Sequence, residues 1–297
     1  RDVDIVFHLA SIFDYSTPWE VMERVNVRGT KNLCEVIIKT NPDARMIHWS
    51  SGEIYGSSMV DAANLPPSGE LTEETPQMPA ESPYAKSKQL QEQVVWKYHK
   101  ERKLPVTVLR LASVYGPGKL LDTLLFFLIT RGVIGAFPKY MNFRWPMVHV
   151  RDVIASSVFL AEKEGTVGEA YNIVDDQNYT VADAIHAIAY ATGNKLYILP
   201  LPIRMSKVAG FMKVFLPLAK RAAIRRIKSV KKKGRKPVFE TFTIAAYMDM
   251  LRSIKKFSDN FKYSNRKLKT TGYKLICPDY RYNVHETADW YRARGYI

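Results

Sequence analysis

The sequence predicts an α/β fold with a doubly wound parallel sheet, because short apolar runs alternate with segments of helical periodicity. Most of the predicted strands are continuous apolar runs, which are typical of parallel strands covered by helices on both faces. In chain order they are residues 5–10, 46–50, 106–111, 147–150 and 170–174. The predicted helices are residues 21–39, 84–103, 120–131, 151–163 and 181–192. Parallel strands joined by helices imply right-handed crossovers.

Length and composition set the scale of the molecule. The 297 residues are 46% hydrophobic, which predicts one main domain, residues 1–175, and a smaller lobe, residues 176–297. The two cysteines, Cys34 and Cys277, are too few for a disulfide framework and indicate a cytoplasmic protein. No apolar stretch approaches the roughly 20 residues of a spanning helix. Because the chain starts with Arg1, directly before a strand, we expect it to be an N-terminally truncated piece.

The net charge of +15 is concentrated in one segment. Residues 204–236 contain 13 Lys and Arg, and no Asp or Glu lies between Ala184 and Phe239. Within residues 203–236 these cations alternate with Phe, Leu and Met at roughly helical spacing, and Pro217 interrupts the pattern. The segment fits an amphipathic surface that meets an anionic membrane, or a lid helix with a solvated basic face. Nucleic-acid binding is disfavoured, since neither a recognition module nor interleaved aromatic residues are present.

Three motifs fall at the carboxyl ends of predicted strands, where open parallel sheets bind their ligands. They are His8-Leu-Ala10, Ser50-Ser51-Gly-Glu-Ile-Tyr-Gly56 and Arg110-Leu-Ala-Ser-Val-Tyr-Gly-Pro-Gly118. Tyr84 and Lys88, four residues apart, share one face of the helix between the last two motifs. A Lys charge can lower the pKa of a neighbouring phenol, which makes the phenol a base for an alcohol and an acid for a ketone.

In their order along the chain, these motifs resemble the extended branch of the short-chain dehydrogenase/reductase superfamily. Asn26-Val-Arg-Gly-Thr30 and His149-Val-Arg-Asp152 complete the series. The resemblance covers most of the chain and implies a Rossmann-like sheet followed by a C-terminal substrate lobe. The family's Gly-x-Gly-x-x-Gly turn occurs nowhere in the sequence, so we expect the first βαβ units to be missing. The choice between NAD and NADP is therefore not readable.

The resemblance implies roles for individual residues. Tyr84 would transfer the proton, Lys88 would lower the pKa of Tyr84 and bind the nicotinamide ribose, and Ser51 would hold the reacting oxygen. Ser50 is interpreted as structural. Further dinucleotide contacts are expected at Leu9, Ala10, Asn26 and Ala112. Core packing is the alternative for Leu9 and Ala10, and a helix cap is the alternative for Asn26.

The substrate side is expected to involve Glu53 and Ser113, with residues 239–264 as a pocket wall; no metal ligands are predicted. Nucleotide-sugar members of the family usually carry Asn where this chain has Ser113, and 4,6-dehydratases carry Asp where it has Gly52. Glu53 instead favours a nucleotide-sugar enzyme, since sugar decarboxylases and dehydratases place a catalytic Glu at this position. Members that resemble 3β-hydroxysteroid dehydrogenases also have Glu at this position.

We therefore predict an NAD(P)-dependent oxidoreductase that interconverts a secondary alcohol and a ketone on an apolar, sterol- or isoprenoid-like substrate. One alternative is a nucleotide-sugar epimerase, dehydratase or decarboxylase. The other is a non-catalytic, dinucleotide-responsive protein at a membrane surface. The resemblance also implies a homodimer formed through a helix bundle that includes the Tyr84 helix.

Overall fold

The computed structural model describes residues 3–13, 17–59, 62–119, 129–130, 136–138, 144–199 and 261–297. The chain forms two compact units. Unit 1 comprises Arg1–Gly116, Phe143–Thr180 and Lys256–Asn283, and unit 2 comprises Pro117–Asn142, Val181–Lys255 and Val284–Ile297. Unit 1 thus contains residues from both sides of the domain boundary predicted near residue 175. The predicted division into residues 1–175 and 176–297 stays a prediction.

The strands of the described chain are mostly short. They are β1 (Ile5–His8), β2 (Arg45–Ser51), β3 (Glu70–Leu71), β4 (Val106–Leu111), β5 (Ser113–Tyr115), β6 (Ala136–Pro138), β7 (Met147–His149), β8 (Ala170–Ile173), β9 (Tyr197–Leu199) and β10 (Lys262–Tyr263). Within the described residues, β1, β2, β4 and β8 form a parallel sheet in that order. The predicted α/β fold with a parallel, Rossmann-type sheet is confirmed.

Helices follow the strands as the sequence predicted. They are α1 (Trp19–Met22), α2 (Gly29–Thr40), α3 (Pro83–Arg102), α4 (Val150–Glu162), α5 (Val181–Ala191), α6 (Arg266–Thr270) and α7 (Tyr280–Ala293). The helix predicted over residues 21–39 differs, because a π-helical stretch, Glu23–Arg28, separates α1 from α2. Most of the predicted helix 120–131, and all of the basic segment 203–236, lie outside the described residues.

Both faces of the sheet in unit 1 are buried. On one face, Met46, Val106 and Val108 pack with residues of α2 and α3. On the other face, Ile47 and Leu109 pack with residues of α4 and α6. Neighbouring residues of one strand therefore enter different cores, which explains why the strands read as continuous apolar runs.

Local sequence fixes the start of α3, the helix that carries Tyr84 and Lys88. The Ser82 hydroxyl accepts a hydrogen bond from the backbone N–H of Ala85 at 3.0 Å, and Pro83 occupies the first turn. A side-chain cap and a proline at the first position are the ordinary signals of a helix start. Tyr84 is thereby placed in the first turn of α3, close to the end of β2.

In unit 1, two further strand pairs lie outside the main sheet. They are the parallel pairs β3–β10 and β5–β7. Unit 2 contains the parallel pair β6–β9, and the Tyr291 hydroxyl donates to the carbonyl oxygen of Lys119 at 2.8 Å. Cys34 and Cys277 are both buried, and neither is part of a disulfide bond. Among the helices that the structure describes, none has the length and apolar character to cross a membrane.

Candidate active site

Tyr84 and Ser51 meet where β2 ends and α3 begins. The Ser51 side chain lies close enough to the Tyr84 phenol to lower the pKa of that phenol. The Ser51 hydroxyl oxygen also accepts the backbone N–H of Glu53 at 3.2 Å. The strand end and the first helical turn thus hold a hydroxyl and a phenol together, as the sequence predicted for a proton-transfer site. We call Ser51, Glu53, Tyr84 and Lys88 the strand-end site.

The electrostatics of Tyr84 differ from the sequence-based expectation. Burial, and then the charge of Glu53, raise the pKa of the Tyr84 phenol above its usual range, while the Ser51 side chain opposes them. Lys88 is not among the groups that shift this pKa in the protein alone, and the lowering of the Tyr84 pKa by Lys88 stays a prediction. The direction of the shift follows from desolvation of the phenolate at a buried ring, which outweighs the other influences.

Lys88 lies one helical turn beyond Tyr84 and is 2% exposed. Its ammonium donates to the carbonyl oxygen of Trp49 at 2.7 Å. Burial lowers the pKa of Lys88 to about 8, while the negative charge of Glu92 opposes that shift. Since an ammonium has three N–H donors, the Trp49 bond leaves capacity for a ligand hydroxyl.

Two imidazoles lie near Lys88, on β1 and β2. The Nδ1 atoms of His8 and His48 are 3.0 Å apart, so one ring donates to the other. Burial, and then the charge of Lys88, lower the pKa of His8 to about 4 and that of His48 well below its usual range. Both rings are therefore neutral near pH 7, so neither imidazole places a positive charge next to the ammonium of Lys88.

Glu53 belongs to the strand-end site, whereas Ser113 occupies another strand. A Glu53 carboxylate oxygen accepts the Ser82 hydroxyl at 3.4 Å, and the Glu53 charge acts on Tyr84. Ser113 begins β5, where its backbone N–H donates to the carbonyl oxygen of Pro146 at 3.0 Å. A role of either residue in substrate binding stays a prediction.

The residues after β1 present apolar surface at the strand ends. Leu9 is 46% exposed and Ala10 is exposed as well; contact of either residue with a dinucleotide stays a prediction. Phe13 is 48% exposed and its ring packs edge-on against Tyr84, with the centroids 4.9 Å apart. Among the described groups, the buried Ser11 hydroxyl oxygen has no hydrogen-bond partner. Exposed apolar side chains beside a phenol, an ammonium and this hydroxyl fit the nicotinamide end of a dinucleotide.

Asn26 and Ala112 are buried in the protein. Asn26 accepts the backbone N–H of Ile12 at 2.7 Å and donates to the Ile12 carbonyl oxygen at 3.2 Å and to the Ser87 hydroxyl at 2.9 Å. This amide therefore ties the loop after β1 to α3. Ala112 is 7% exposed and belongs to the core that includes α4. Cofactor contact by either residue stays a prediction.

Other motif residues form a closed network below the strand ends. Arg110 pairs with Glu92 at 2.8 Å, and Glu92 also accepts the Ser50 hydroxyl. Arg110 further donates to the Tyr55 hydroxyl at 3.3 Å, which donates to Asn172 Oδ1 at 2.6 Å. We call Ser50, Tyr55, Glu92 and Arg110 the interior network. These bonds are consistent with the structural role predicted for Ser50.

Asp152, from the His-Val-x-Asp motif, also bonds within the protein. Its carboxylate accepts the backbone N–H groups of Ile276 and Cys277 at 2.7 and 2.8 Å, and the Tyr273 hydroxyl at 2.9 Å. It therefore anchors residues 273–277 to α4. In the described part of the chain, no group of three His, Cys, Asp or Glu side chains is arranged to hold a metal ion.

Sequence reasoning missed Glu92, His48 and Tyr263. Glu92 follows Lys88 by four residues, a spacing that predicts contact on one helix face. His48 is the middle residue of β2 and has no local motif around it. Tyr263 lies far along the chain from the motifs, although it falls within the predicted pocket wall 239–264.

Comparisons with known proteins identify the family and the fold. The profile of the NAD dependent epimerase/dehydratase family matches residues 1–174. A sterol-4-alpha-carboxylate 3-dehydrogenase (decarboxylating) from Candida albicans is 32% identical over 116 residues, 39% of this chain and 31% of the relative. A dTDP-D-glucose 4,6-dehydratase from Dictyostelium discoideum is 26% identical over 183 residues, 59% of this chain and 42% of the relative. The matched part therefore spans less than half of the length of either relative.

Solved structures share the fold. The structure of dTDP-glucose 4,6-dehydratase from Bacillus anthracis, in complex with NAD, superposes with a TM-score of 0.65 at 21% identity. The match covers 99% of this chain and 74% of that one. At this level of identity the likeness concerns the fold.

Proposed function

Because the chain belongs to the NAD-dependent epimerase/dehydratase family, we propose that it is an NAD(P)-dependent oxidoreductase acting on an apolar secondary alcohol or ketone. The substrate class that we propose is sterol- or isoprenoid-like. The observation that supports this reaction most directly is that the Ser51 side chain acts on the Tyr84 phenol at the start of α3, one helical turn from the buried ammonium of Lys88. These are the groups that move a proton at a substrate oxygen and hold that oxygen in place.

Each residue has a distinct task in this proposal. NAD or NADP, when bound, supplies or accepts the hydride. Tyr84 gives a proton to the ketone oxygen, or takes one from the alcohol, and Ser51 orients the same oxygen. Lys88 donates to a hydroxyl of the nicotinamide ribose, while Leu9 and Ala10 cover the nicotinamide. Asn26 and Ala112 support the loop and strand that carry these contacts.

The raised pKa of Tyr84 favours the phenol form of this residue at neutral pH. A phenol donates its proton to a ketone, whereas alcohol oxidation needs a phenolate. In the protein alone, Tyr84 is therefore in the form that donates a proton. A cationic group bound next to the phenol would lower its pKa.

Three observations support an apolar substrate. Leu9 and Phe13, which follow β1, are nearly half exposed, and the Phe13 ring packs against Tyr84. Position 52, where the 4,6-dehydratases carry Asp, is Gly here. The Candida albicans relative, with the highest identity of the two, is by name a sterol dehydrogenase.

A nucleotide-sugar substrate is the second candidate, and Glu53 is the observation that favours it. Its carboxylate acts on the Tyr84 phenol, so a second acid–base group lies at the reacting position. Such a pair suits proton removal from a carbon next to a ketone. The similarity to the Dictyostelium dehydratase points to the same substrate class.

A ligand screen separates the two candidates. Thermal unfolding would be followed with 3β-hydroxysterols, UDP-sugars or dTDP-sugars, each with NAD or NADP, and turnover by NAD(P)H absorbance. We expect stabilisation and turnover with a sterol, and loss of turnover but not of stabilisation in Tyr84→Phe. Stabilisation by sugars alone would contradict the sterol proposal, and full turnover by Tyr84→Phe would contradict the mechanism.

Membrane contact through residues 203–236, which lie outside the described residues, is a further part of the proposal. The cations of this segment predict salt-sensitive binding to vesicles that contain anionic lipid. Vesicle pelleting would test it, with a variant in which the Lys and Arg at 231–236 are replaced by Gln as the control. Equal pelleting of the two proteins, or equal pelleting with neutral vesicles, would contradict the proposal. The cytoplasmic location and the homodimer also stay predictions; light scattering would measure the oligomeric state.

A further inference from the structure

Tyr263 reaches the strand-end site from a distant part of the sequence. Its strand, β10, pairs in parallel with β3 and places Tyr263 opposite Leu71. Two backbone hydrogen bonds fix this pairing: Lys262 N–H to the Gly69 carbonyl and Ser264 N–H to the Leu71 carbonyl, both 3.0 Å. The Tyr263 ring packs against those of Tyr55 and Phe261, with centroids 5.5 and 5.8 Å away. Its position is therefore set by main-chain bonds and by aromatic packing.

The ring of Tyr263 lies directly against Gly52, the residue between Ser51 and Glu53. A Cβ atom placed on Gly52 would lie 2.4 Å from both the Cε2 and the hydroxyl oxygen of Tyr263. Real Cβ atoms do not approach other heavy atoms this closely, so no side chain fits at position 52 while Tyr263 keeps its place. The phenol of Tyr263 thus occupies the space that a side chain at position 52 would take.

Backbone conformation does not explain why position 52 is a glycine, and Gly56 provides the contrast. Gly56 has a φ of 55°, and a Cβ atom there would lie 2.3 Å from the Met78 carbonyl oxygen. Gly56 is therefore required by the main chain itself. Gly52, which is not among the glycines with positive φ, is excluded from bearing a side chain by Tyr263.

Tyr263 also shares a charged neighbour with Tyr84. Burial, and then the nearby Tyr55 and Glu53, raise the pKa of the Tyr263 phenol well above its usual range. Glu53 has the same direction of effect on Tyr84. The carboxylate of Glu53 is therefore close to two phenols, one from α3 and one from β10.

We infer that Tyr263 is a specificity-determining and positioning residue of the active site. Its ring closes position 52, between Ser51 and Glu53, to any side chain. A second acidic group therefore cannot stand beside Ser51, and proton transfer at this end of the site is left to Tyr84 and Glu53. The inference depends on the proposed function only for the catalytic role of Tyr84.

Paired substitutions test the steric part. Gly52→Ala should lower the thermal unfolding midpoint by about 5 °C, because an inserted methyl group overpacks a filled site. In the Tyr263→Ala background, Gly52→Ala should lower the unfolding midpoint by less than half as much as it does in wild type. The reference for this second comparison is Tyr263→Ala alone. Gly56→Ala is the matched control, and Tyr263→Ala should not relieve its loss. Equal costs of Gly52→Ala in both backgrounds would overturn the inference.

The pKa of the Tyr84 phenol, measured in Tyr263 variants, tests the functional part of the inference. Carbon-13 labelling of the tyrosine rings would let NMR follow the Tyr84 signal, identified by its absence in Tyr84→Phe. Tyr263→Ala admits water to Glu53 and Tyr84 and should lower the pKa of Tyr84, whereas Tyr263→Phe keeps the ring and should change it less. An unchanged Tyr84 signal in Tyr263→Ala would show that Tyr263 only supports the fold. This measurement needs no substrate, so failure of the sterol screen would leave it interpretable.

Discussion

The strand-end site and the interior network lie only one residue apart on β2, yet their polar groups are used in opposite ways. In the interior network, Ser50, Glu92 and Arg110 bond to one another, and the Glu92–Arg110 pair is at most 9% exposed on its side chains. In the strand-end site, Tyr84 and Lys88 carry pKa values that burial shifts away from their usual range. Satisfied bonds define a structural cluster, whereas a shifted pKa next to exposed apolar surface indicates a reactive one.

Removal of the Tyr84 hydroxyl should give the largest effect and would test the strand-end half of this comparison. Tyr84→Phe keeps the ring that packs against Phe13 but loses the proton donor. We expect turnover of the substrate found by the ligand screen to fall about 100-fold to 10,000-fold. Circular dichroism and the unfolding midpoint should be nearly unchanged. A variant that kept normal turnover would remove Tyr84 from the mechanism.

Removal of the Arg110 charge should break the interior network. Arg110→Met leaves the carboxylate of Glu92 buried without its counter-charge, which costs about 3–5 kcal/mol of unfolding free energy. Urea unfolding would measure the loss. The double variant Arg110→Met/Glu92→Leu should lose less, because neither charge of this pair is left buried without the other. If the single variant were as stable as wild type, the pair would not be the structural centre that its geometry indicates.

Lys88 is expected to make the stability of the protein depend on pH between about 8 and 10.5. Burial lowers its pKa from 10.5 to about 8, so between these values the unfolded chain binds a proton that the folded chain does not. Stability contributed by Lys88 therefore rises with pH across this window, and is lowest below about 8. The full change corresponds to about 3 kcal/mol.

The variant Lys88→Met isolates this contribution. The difference in unfolding free energy between Lys88→Met and wild type should shrink as the pH rises from 8 to 10.5. Lys97→Met is the control, since the Lys97 side chain is 67% exposed. Urea unfolding at several pH values would measure both differences. A difference that stayed constant for Lys88→Met would show that its ammonium is not desolvated.

The adjacent serines provide the smallest and most direct contrast. Ser50→Ala removes one donor to Glu92 and should cost about 1–3 kcal/mol of stability with little change in turnover. Ser51→Ala should lower turnover about tenfold to 100-fold, with little change in stability. Urea unfolding and NAD(P)H absorbance, applied to both variants, would check the pair. If Ser50→Ala lowered turnover and Ser51→Ala lowered stability instead, the assignment of the two serines to the two sites would be reversed.

Much of the fold follows from local patterns. The continuous apolar runs predict the strands because each strand is buried on both faces, and β4 has the predicted bounds. Ser82 and Pro83 mark the start of α3. The π-helical stretch at Glu23–Arg28 was not predicted, since its pattern of apolar residues does not differ from that of an α-helix. Its buried Asn26 is explained only by bonds to Ile12 and Ser87, which lie on other elements.

By itself, the sequence determined the α/β class and the family, because these depend on periodicity and on motifs with short spacing, and it predicted the proton-transfer residues. The tertiary structure decided the charge state of Tyr84, through the burial of its ring and the nearby Glu53. It also placed Tyr263 on Gly52, a contact between residues more than 200 positions apart. Desolvation and steric exclusion depend on which surfaces meet in three dimensions, and a linear pattern does not contain that information.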